Sequence, residues 1–177
     1  TFINVLDRPQ YNKGSAHLSV TQLLNSPKIV ALTKKYEDEI EQDASDMVWS
    51  IFGSAVHNVL EHGKDENHIV EQRIYNEYAG WRISGAIDLQ VVNPEGIDVK
   101  DYKTTTVWAV MNEKIEWEVQ LNIYAGLIED VKNIPVTSVG IVAMSGIFFI
   151  IKLLCDVPSI NVSTHCPFIS TLIVGDA

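Results

Sequence analysis

Asp88, Asp101 and Lys103 are the residues whose types and spacing could do chemistry. Asp88 stands in a stretch that reads as a strand over residues 81–92, and Asp101 and Lys103 stand in a second over 97–103. Between them Asn93, Pro94, Glu95 and Gly96 form a turn sequence, with proline in the favoured second position and glycine in the fourth. With Pro94 and Glu95 as the central residues, Asp88 falls opposite Asp101 and Ala86 opposite Lys103. Side chains alternate along a strand, so Asp88, Asp101 and Lys103 are expected on one face. Directly opposed residues have Cβ atoms about 4.5–5.5 Å apart, and like charges so placed destabilise a sheet. A hard divalent cation between the two carboxylates relieves that repulsion, because carboxylate oxygens are the ligands that Mg²⁺ and Mn²⁺ prefer. Lys103 could then reach a phosphate or an attacking water. The bland alternative is a surface hairpin on which Lys103 neutralises both acids.

Two further sets lie on expected helices. Met47, Ile51, Ala55 and Val59 recur every four residues, which predicts a helix with a broad apolar face, with Asp46 as N-cap and Gly63 as stop. On it Gly53, His57 and Glu61 fall on one stripe. Gly53 would let another group approach closely, and His57 could add a nitrogen ligand beside the acids. The alternative for His57 is an ordinary surface histidine. Gln120 and Tyr124, also four apart, lie in a helical stretch over residues 112–131 that Pro135 ends. They read either as groups that orient the lysine or bond a nucleotide, or as plain amphipathic surface.

The elements that must position these residues form an α/β order. Ser19 and Gln22 have capping-box spacing, so a helix starts near Val20, and Pro27 ends or restarts it. A second helical stretch runs to about residue 40, followed by an acidic solvated segment up to Asp46. Strands over 69–78, 81–92 and 97–103 make a meander, and a last strand over 137–143 follows the helix. From residue 145 the only charges are Lys152, Asp156 and Asp176, and both cysteines lie there. That tail reads either as a buried strand pair or as an end foreign to the fold. The division expected is therefore a domain over 1–144 and an atypical apolar tail over 145–177.

Composition bounds the rest. Lys plus Arg is 13 and Asp plus Glu is 23, giving a net charge of −10, which excludes a uniformly basic nucleic-acid coat. Cys155 and Cys166 are too few for a disulfide scaffold, a four-cysteine zinc site or a cysteine-held iron–sulfur cluster. Residues 1–7 lack a basic leader and run into Arg8 and Pro9, so no secretory signal is read there. The apolar run 139–155 is interrupted by Lys152 and reads better as strand than as a membrane span. A soluble, cytoplasmic protein without a membrane partner is expected.

Gly53 with His57, Gly85 with Asp88, Asp101 with Lys103, and Gln120 with Tyr124 occur in that order. Residues 53–124 thereby resemble the nuclease domain of the PD-(D/E)XK superfamily in its RecB-like branch, and residues 19–24 resemble the short helix that opens many members. The resemblance spans roughly 19–143. It implies a restriction-endonuclease-like core, a mixed β-sheet flanked by helices, and Mg²⁺- or Mn²⁺-dependent cleavage of DNA phosphodiesters. His57, Asp88, Asp101 and the backbone carbonyl of Tyr102 would hold the metal, with Asp88, Asp101 and Lys103 catalytic. Lys103 would position or help deprotonate the attacking water. Gln120 and Tyr124 would support the site or touch DNA. Glu71, at the start of a neighbouring strand, is either an outer carboxylate or, in the stronger reading, a strand-edge charge.

The function expected is an exonuclease or end-processing enzyme of phage or bacterial recombination and repair, acting on linear DNA ends, with a recombination or replication protein as partner. The alternatives are a non-catalytic DNA- or metal-binding relative and a hydrolase of some other phosphate ester. Lys28, Lys34, Lys35, Lys100, Lys103 and Lys114 are the basic residues available for DNA. Trp81, Trp108 and Trp117 could stack on bases, although tryptophan is more often core.

Overall fold

The computed structural model describes residues 14–40, 47–63, 65–112, 114–145 and 148–156, with the backbone path alone for 47–50, 61, 145 and 148–156. The expected N-cap at Asp46, the lead-in over 1–13 and the end of the tail over 157–177 lie outside the described residues, as does the side chain of Glu61.

The chain opens on a two-residue strand β1 (Leu18–Ser19) that runs into helix α1 (Val20–Leu23). The capping box is formed as its spacing requires: the Ser19 hydroxyl accepts from the Gln22 amide at 3.2 Å, and the Gln22 side chain accepts from the Ser19 amide at 3.0 Å. Pro27 restarts the helix as α2 (Pro27–Lys35), none of whose residues is buried. After α3 (Met47–Glu61) come the meander strands β2 (His68–Tyr78), β3 (Trp81–Asn93) and β4 (Gly96–Thr104). A short helix α4 (Val107–Met111) precedes α5 (Ile115–Lys132), and β5 (Val136–Ser145) and β6 (Phe148–Asp156) close the described fold. The helix expected over 112–131 is α5, which starts at Ile115, and the short α4 before it is not among the expected elements. Thr106 caps α4, its hydroxyl accepting from the Ala109 amide at 3.3 Å. The last described strand is β6, antiparallel to β5, so the apolar stretch 139–155 is spent on two strands. Among the described residues no helix is long and apolar enough to cross a membrane.

All six strands join one mixed sheet, and its topology opens a gap. β2 pairs antiparallel with β3 along most of its length, from His68 opposite Val91 to Tyr78 opposite Trp81. The other edge of β3 is shared. β1 pairs parallel with Ile83 and Ser84, and β4 pairs antiparallel from Asn93 opposite Gly96 to Leu89 opposite Lys100. Residues 85–88 therefore have no strand partner on that edge. The turn register is the one Pro94 and Glu95 dictate, but the ladder stops one residue short of Asp88 and Asp101, so neither that pair nor Ala86 with Lys103 is formed. On its other edge β4 pairs parallel with β5, from Ile97 opposite Val136 to Thr104 opposite Met144, reached by the crossover through α4 and α5.

Helix α5 packs across this sheet. Leu121, Ile123, Leu127 and Ile128 are buried with Ile83, Ile87, Ile97, Val99, Val139 and Ile141 in one apolar cluster. Asn133 ends the helix in the left-handed conformation at φ 54°. Trp117 is half-buried against this core, but Trp81 and Trp108 are 46% and 70% exposed, contrary to the expectation that tryptophans are core. Trp81 follows a tight strand turn and Trp108 lies on a single-turn helix, so neither has a second layer to cover it.

Gly85 sets the approach of α5. A Cβ there would lie 2.9 Å from the Tyr124 ring and 3.0 Å from Leu127, both of which are buried and cannot move aside. Gly85→Ala is expected to lower the urea midpoint by an amount worth about 1–3 kcal/mol, with an unchanged slope. An unaltered midpoint would mean that α5 does not pack on Gly85.

Candidate metal-dependent active site

Where β3 and β4 part, their polar side chains replace the lost ladder. The Tyr102 amide, freed from a strand partner, donates to Asp88 Oδ2 at 2.7 Å. The bond lets a nearly buried carboxylate sit at the parting of two strands. Helix α3 comes down beside β4 because Gly53 has no side chain; a Cβ there would meet the Thr104 hydroxyl at 3.0 Å. One turn further on, His57 enters the gap. Its Nε2 lies 3.2 Å from the Tyr102 carbonyl, and its Nδ1 lies 3.3 Å from Glu71 Oε1 and 3.8 Å from Asp88 Oδ1.

Glu71 reaches this point through a break in β2. It would face Asp88 in the β2–β3 register, yet the pairing skips from Val70 to Gln72. Glu71 has φ 50°, a conformation uncommon for a residue with a side chain and frequent at functional sites. Its carboxylate thus joins the cluster rather than standing as a remote strand-edge charge. Single donor atoms of His57, Glu71 and Asp88 lie within 4.8 Å of one another.

Asp101 is held on the other side of the gap. Lys103 Nζ lies 2.7 Å from Asp101 Oδ2, and Gln120 Nε2 donates to Asp101 Oδ1 at 3.2 Å. Gln120 also accepts from Lys103 Nζ at 3.2 Å and donates to the Tyr124 hydroxyl at 2.8 Å. One buried amide therefore ties together the aspartate, the lysine and the tyrosine. Both Gln120 and Tyr124 are buried, not amphipathic surface. Asp101 Oδ2 is paired with the Lys103 ammonium.

These residues line one cleft of about 580 Å³, whose wall includes Asp88, Asp101, Lys103, His57, Glu71 and Thr21. Thr21, on α1, and Thr104 carry no motif signal in the sequence. Thr21 reaches the cleft because β1 docks α1 against the edge of β3, and Thr104 because it ends β4 beside Gly53.

Electrostatics follow from burial. Loss of water, then the neighbouring Asp101 charge, push the Asp88 carboxyl up to about 7. Burial raises Asp101 as well, with the Lys103 ammonium pulling the other way. The Glu71 carboxylate at Nδ1 holds the His57 imidazole above its ordinary value, against the effect of burial. A divalent cation fits this chemistry: the donors of His57, Glu71 and Asp88 are carboxylate oxygens and one imidazole, and the buried acids resist ionising without a counter-charge.

Comparison with known proteins agrees with the geometry. Residues 63–150 match the family profile of the PD-(D/E)XK nuclease superfamily. The solved structure "Crystal structure of SSO0001" is similar over 99% of this chain and 82% of that one, with a TM-score of 0.64 and 18% identity, a likeness of fold. No curated protein matches the chain.

The raised Asp88 carboxyl carries a pH dependence. Between about pH 4, the ordinary carboxylate range, and about pH 7 the native chain holds a proton that the unfolded chain has lost. Metal-free stability should therefore fall as pH rises through that window, and the raised His57 acts in the same direction. Mn²⁺ needs the ionised form, so its thermal stabilisation should be larger at about pH 8 than at about pH 5. Equal Mn²⁺-induced shifts in melting temperature at both pH values would remove Asp88 from the metal site.

Proposed function

We propose that this chain is a metal-dependent DNA nuclease of the RecB-like branch, most simply an exonuclease or end-processing enzyme of recombination or repair. The observation that carries this reading is the buried Asp101 clamped between Lys103 and Gln120, facing Asp88 across the parted strands. The superfamily match supports the reaction class. The four motifs from Gly53 to Tyr124 support the branch, and the exonuclease role rests on resemblance to that branch alone.

His57, Asp88, Asp101 and the Tyr102 carbonyl would hold Mg²⁺ or Mn²⁺, with Glu71 beside His57. When bound, such an ion acidifies water and offsets charge on the phosphoryl oxygens. The chain supplies the rest. Asp88 would release its proton to solvent on becoming a ligand, with the Tyr102 amide keeping it oriented, and Asp101 would offer a carboxylate already paired with the Lys103 ammonium. Lys103, half-buried and gripped by Asp101 and Gln120, presents its ammonium at the cleft, where it can orient a water and stabilise negative charge on the phosphate. Gln120 and Tyr124 act through Lys103 and Asp101 and are positioning residues.

Lys103→Ala is expected to lower kcat on linear DNA by at least about 10²-fold while leaving Mn²⁺ affinity nearly intact, since lysine offers no metal ligand. Lys103→Arg should also be impaired, because the guanidinium is larger, planar and permanently charged. Asp101→Ala should lose both metal and cleavage. Calorimetric Mn²⁺ titration beside end-labelled linear and closed circular DNA reads all of these. Full cleavage by Lys103→Ala would reject its catalytic role. Digestion of closed circles by the unaltered protein would make it an endonuclease.

A further inference from the structure

A second groove, of about 540 Å³, lies beside the cleft, between α1, α2 and the start of β3. The two share a wall. Thr21 lines the cleft and Gln22, the next residue, lines the groove, on a helix fixed by its capping box. On the far side stands Trp81, 46% exposed. It is held as a rigid platform. The His17 ring meets it edge-on, with centroids 5.8 Å apart and planes at 83°. His17 is in turn pinned to Arg82 by two backbone bonds: its amide donates to the Arg82 carbonyl at 2.8 Å, and its Nδ1 accepts from the Arg82 amide at 2.9 Å. Asn25, Thr33 and Lys34 complete the polar lining, Glu37 is its one acid, and Leu18, Ile29 and Val30 form its apolar part. Lys34 belongs to α2, which carries Lys28, Lys34 and Lys35 and no acidic residue in a chain of net charge −10.

We propose that this groove is a substrate subsite that holds single-stranded DNA continuous with the strand in the cleft, one base stacking on Trp81 and its phosphates following the lysines of α2. An exposed aromatic face beside a local cationic helix is the combination that binds single strands without sequence preference. The chain as a whole repels a polyanion; α2 is a local cationic stretch, followed directly by Glu37, Asp38 and Glu39, and its Lys34 lines a groove that opens from the same helix as the cleft.

The proposal rests on the nuclease reading, and one set of measurements separates the two. Short and long fluorescein-labelled oligothymidylates are bound in Ca²⁺, which occupies carboxylate sites without supporting turnover, and hydrolysis of a small chromogenic phosphodiester is followed in Mn²⁺. Trp81→Ala is expected to weaken the long oligonucleotide roughly tenfold or more and the short one little. Trp81→Phe should retain most of the affinity, which controls for misfolding. Lys34→Glu, at an exposed position, should weaken binding and reduce the salt slope by about one. Small-substrate turnover should be unchanged in all three. If the unaltered protein cuts DNA and both Trp81→Ala and Lys34→Glu bind the long oligonucleotide as it does, the groove proposal fails and the nuclease reading stands. If the unaltered protein neither binds nor cuts DNA, the nuclease reading fails and this proposal with it. A change of oligomeric state in Trp81→Ala with oligonucleotide affinity intact would make the groove a protein contact and overturn the proposal.

Discussion

Two carboxyl groups held out of water at the point where two strands separate set the terms for everything around them. Asp88 and Asp101 are 8% and 2% exposed, and each makes the other harder to ionise. A buried pair of like charges survives only if each member is neutralised, hydrogen-bonded or bridged by a cation. The surroundings divide that work. Tyr102 donates its amide to Asp88, Gln120 and Lys103 attend Asp101, and His57 and Glu71 close the side nearest Asp88. The same frustration that would destabilise an ordinary hairpin makes a site that gains from a divalent ion.

The sheet is built to keep that point open. A continuous β3–β4 ladder would have consumed the Tyr102 amide and brought residues 85–88 against a neighbouring strand. Instead β1 occupies one end of the β3 edge and β4 the other. The unpaired length between them is the floor of the cleft. α5 is drawn close by Gly85, which puts Gln120 within reach of both Asp101 and Lys103, and α3 is drawn close by Gly53, which puts His57 at the Tyr102 carbonyl. The two glycines are the reason both helices can approach.

Charge is distributed unevenly to the same end. Away from the cleft, half-buried charged groups are engaged by their neighbours: burial acts to raise the Asp98 carboxyl, but the bonds it accepts from Thr137, Ser138 and Asn93 hold it below the usual value. Lys132 donates to buried Gln90 at 2.6 Å, and burial lowers its pKa. Such groups lock strands and helix together and offer nothing to a ligand. In the cleft, Asp88 Oδ1 lies 3.8 Å from His57 Nδ1, beyond hydrogen-bonding distance, and is open to a ligand.

Local rules in the sequence determined much of this. Proline and glycine in the 93–96 turn set the β3–β4 register, the spacing of Ser19 and Gln22 set the start of α1, and apolar periodicity identified α3, α5 and the meander. The identities of Asp88, Asp101, Lys103 and His57, in the order of a known nuclease pattern, pointed to one site. Each of these is a relation between residues close in the chain or a pattern of residue types. What the tertiary structure alone decided depends on contacts between distant segments. It ended the ladder before Asp88, because the Tyr102 amide has a carboxylate to bond instead. It turned Glu71 toward His57 through a backbone conformation that side-chain periodicity does not encode. It buried Gln120 and Tyr124, since amphipathic spacing does not reveal that α1 also packs against α5. It left Trp81 and Trp108 exposed, because hydrophobicity states a preference for burial and only packing determines whether a partner surface is there.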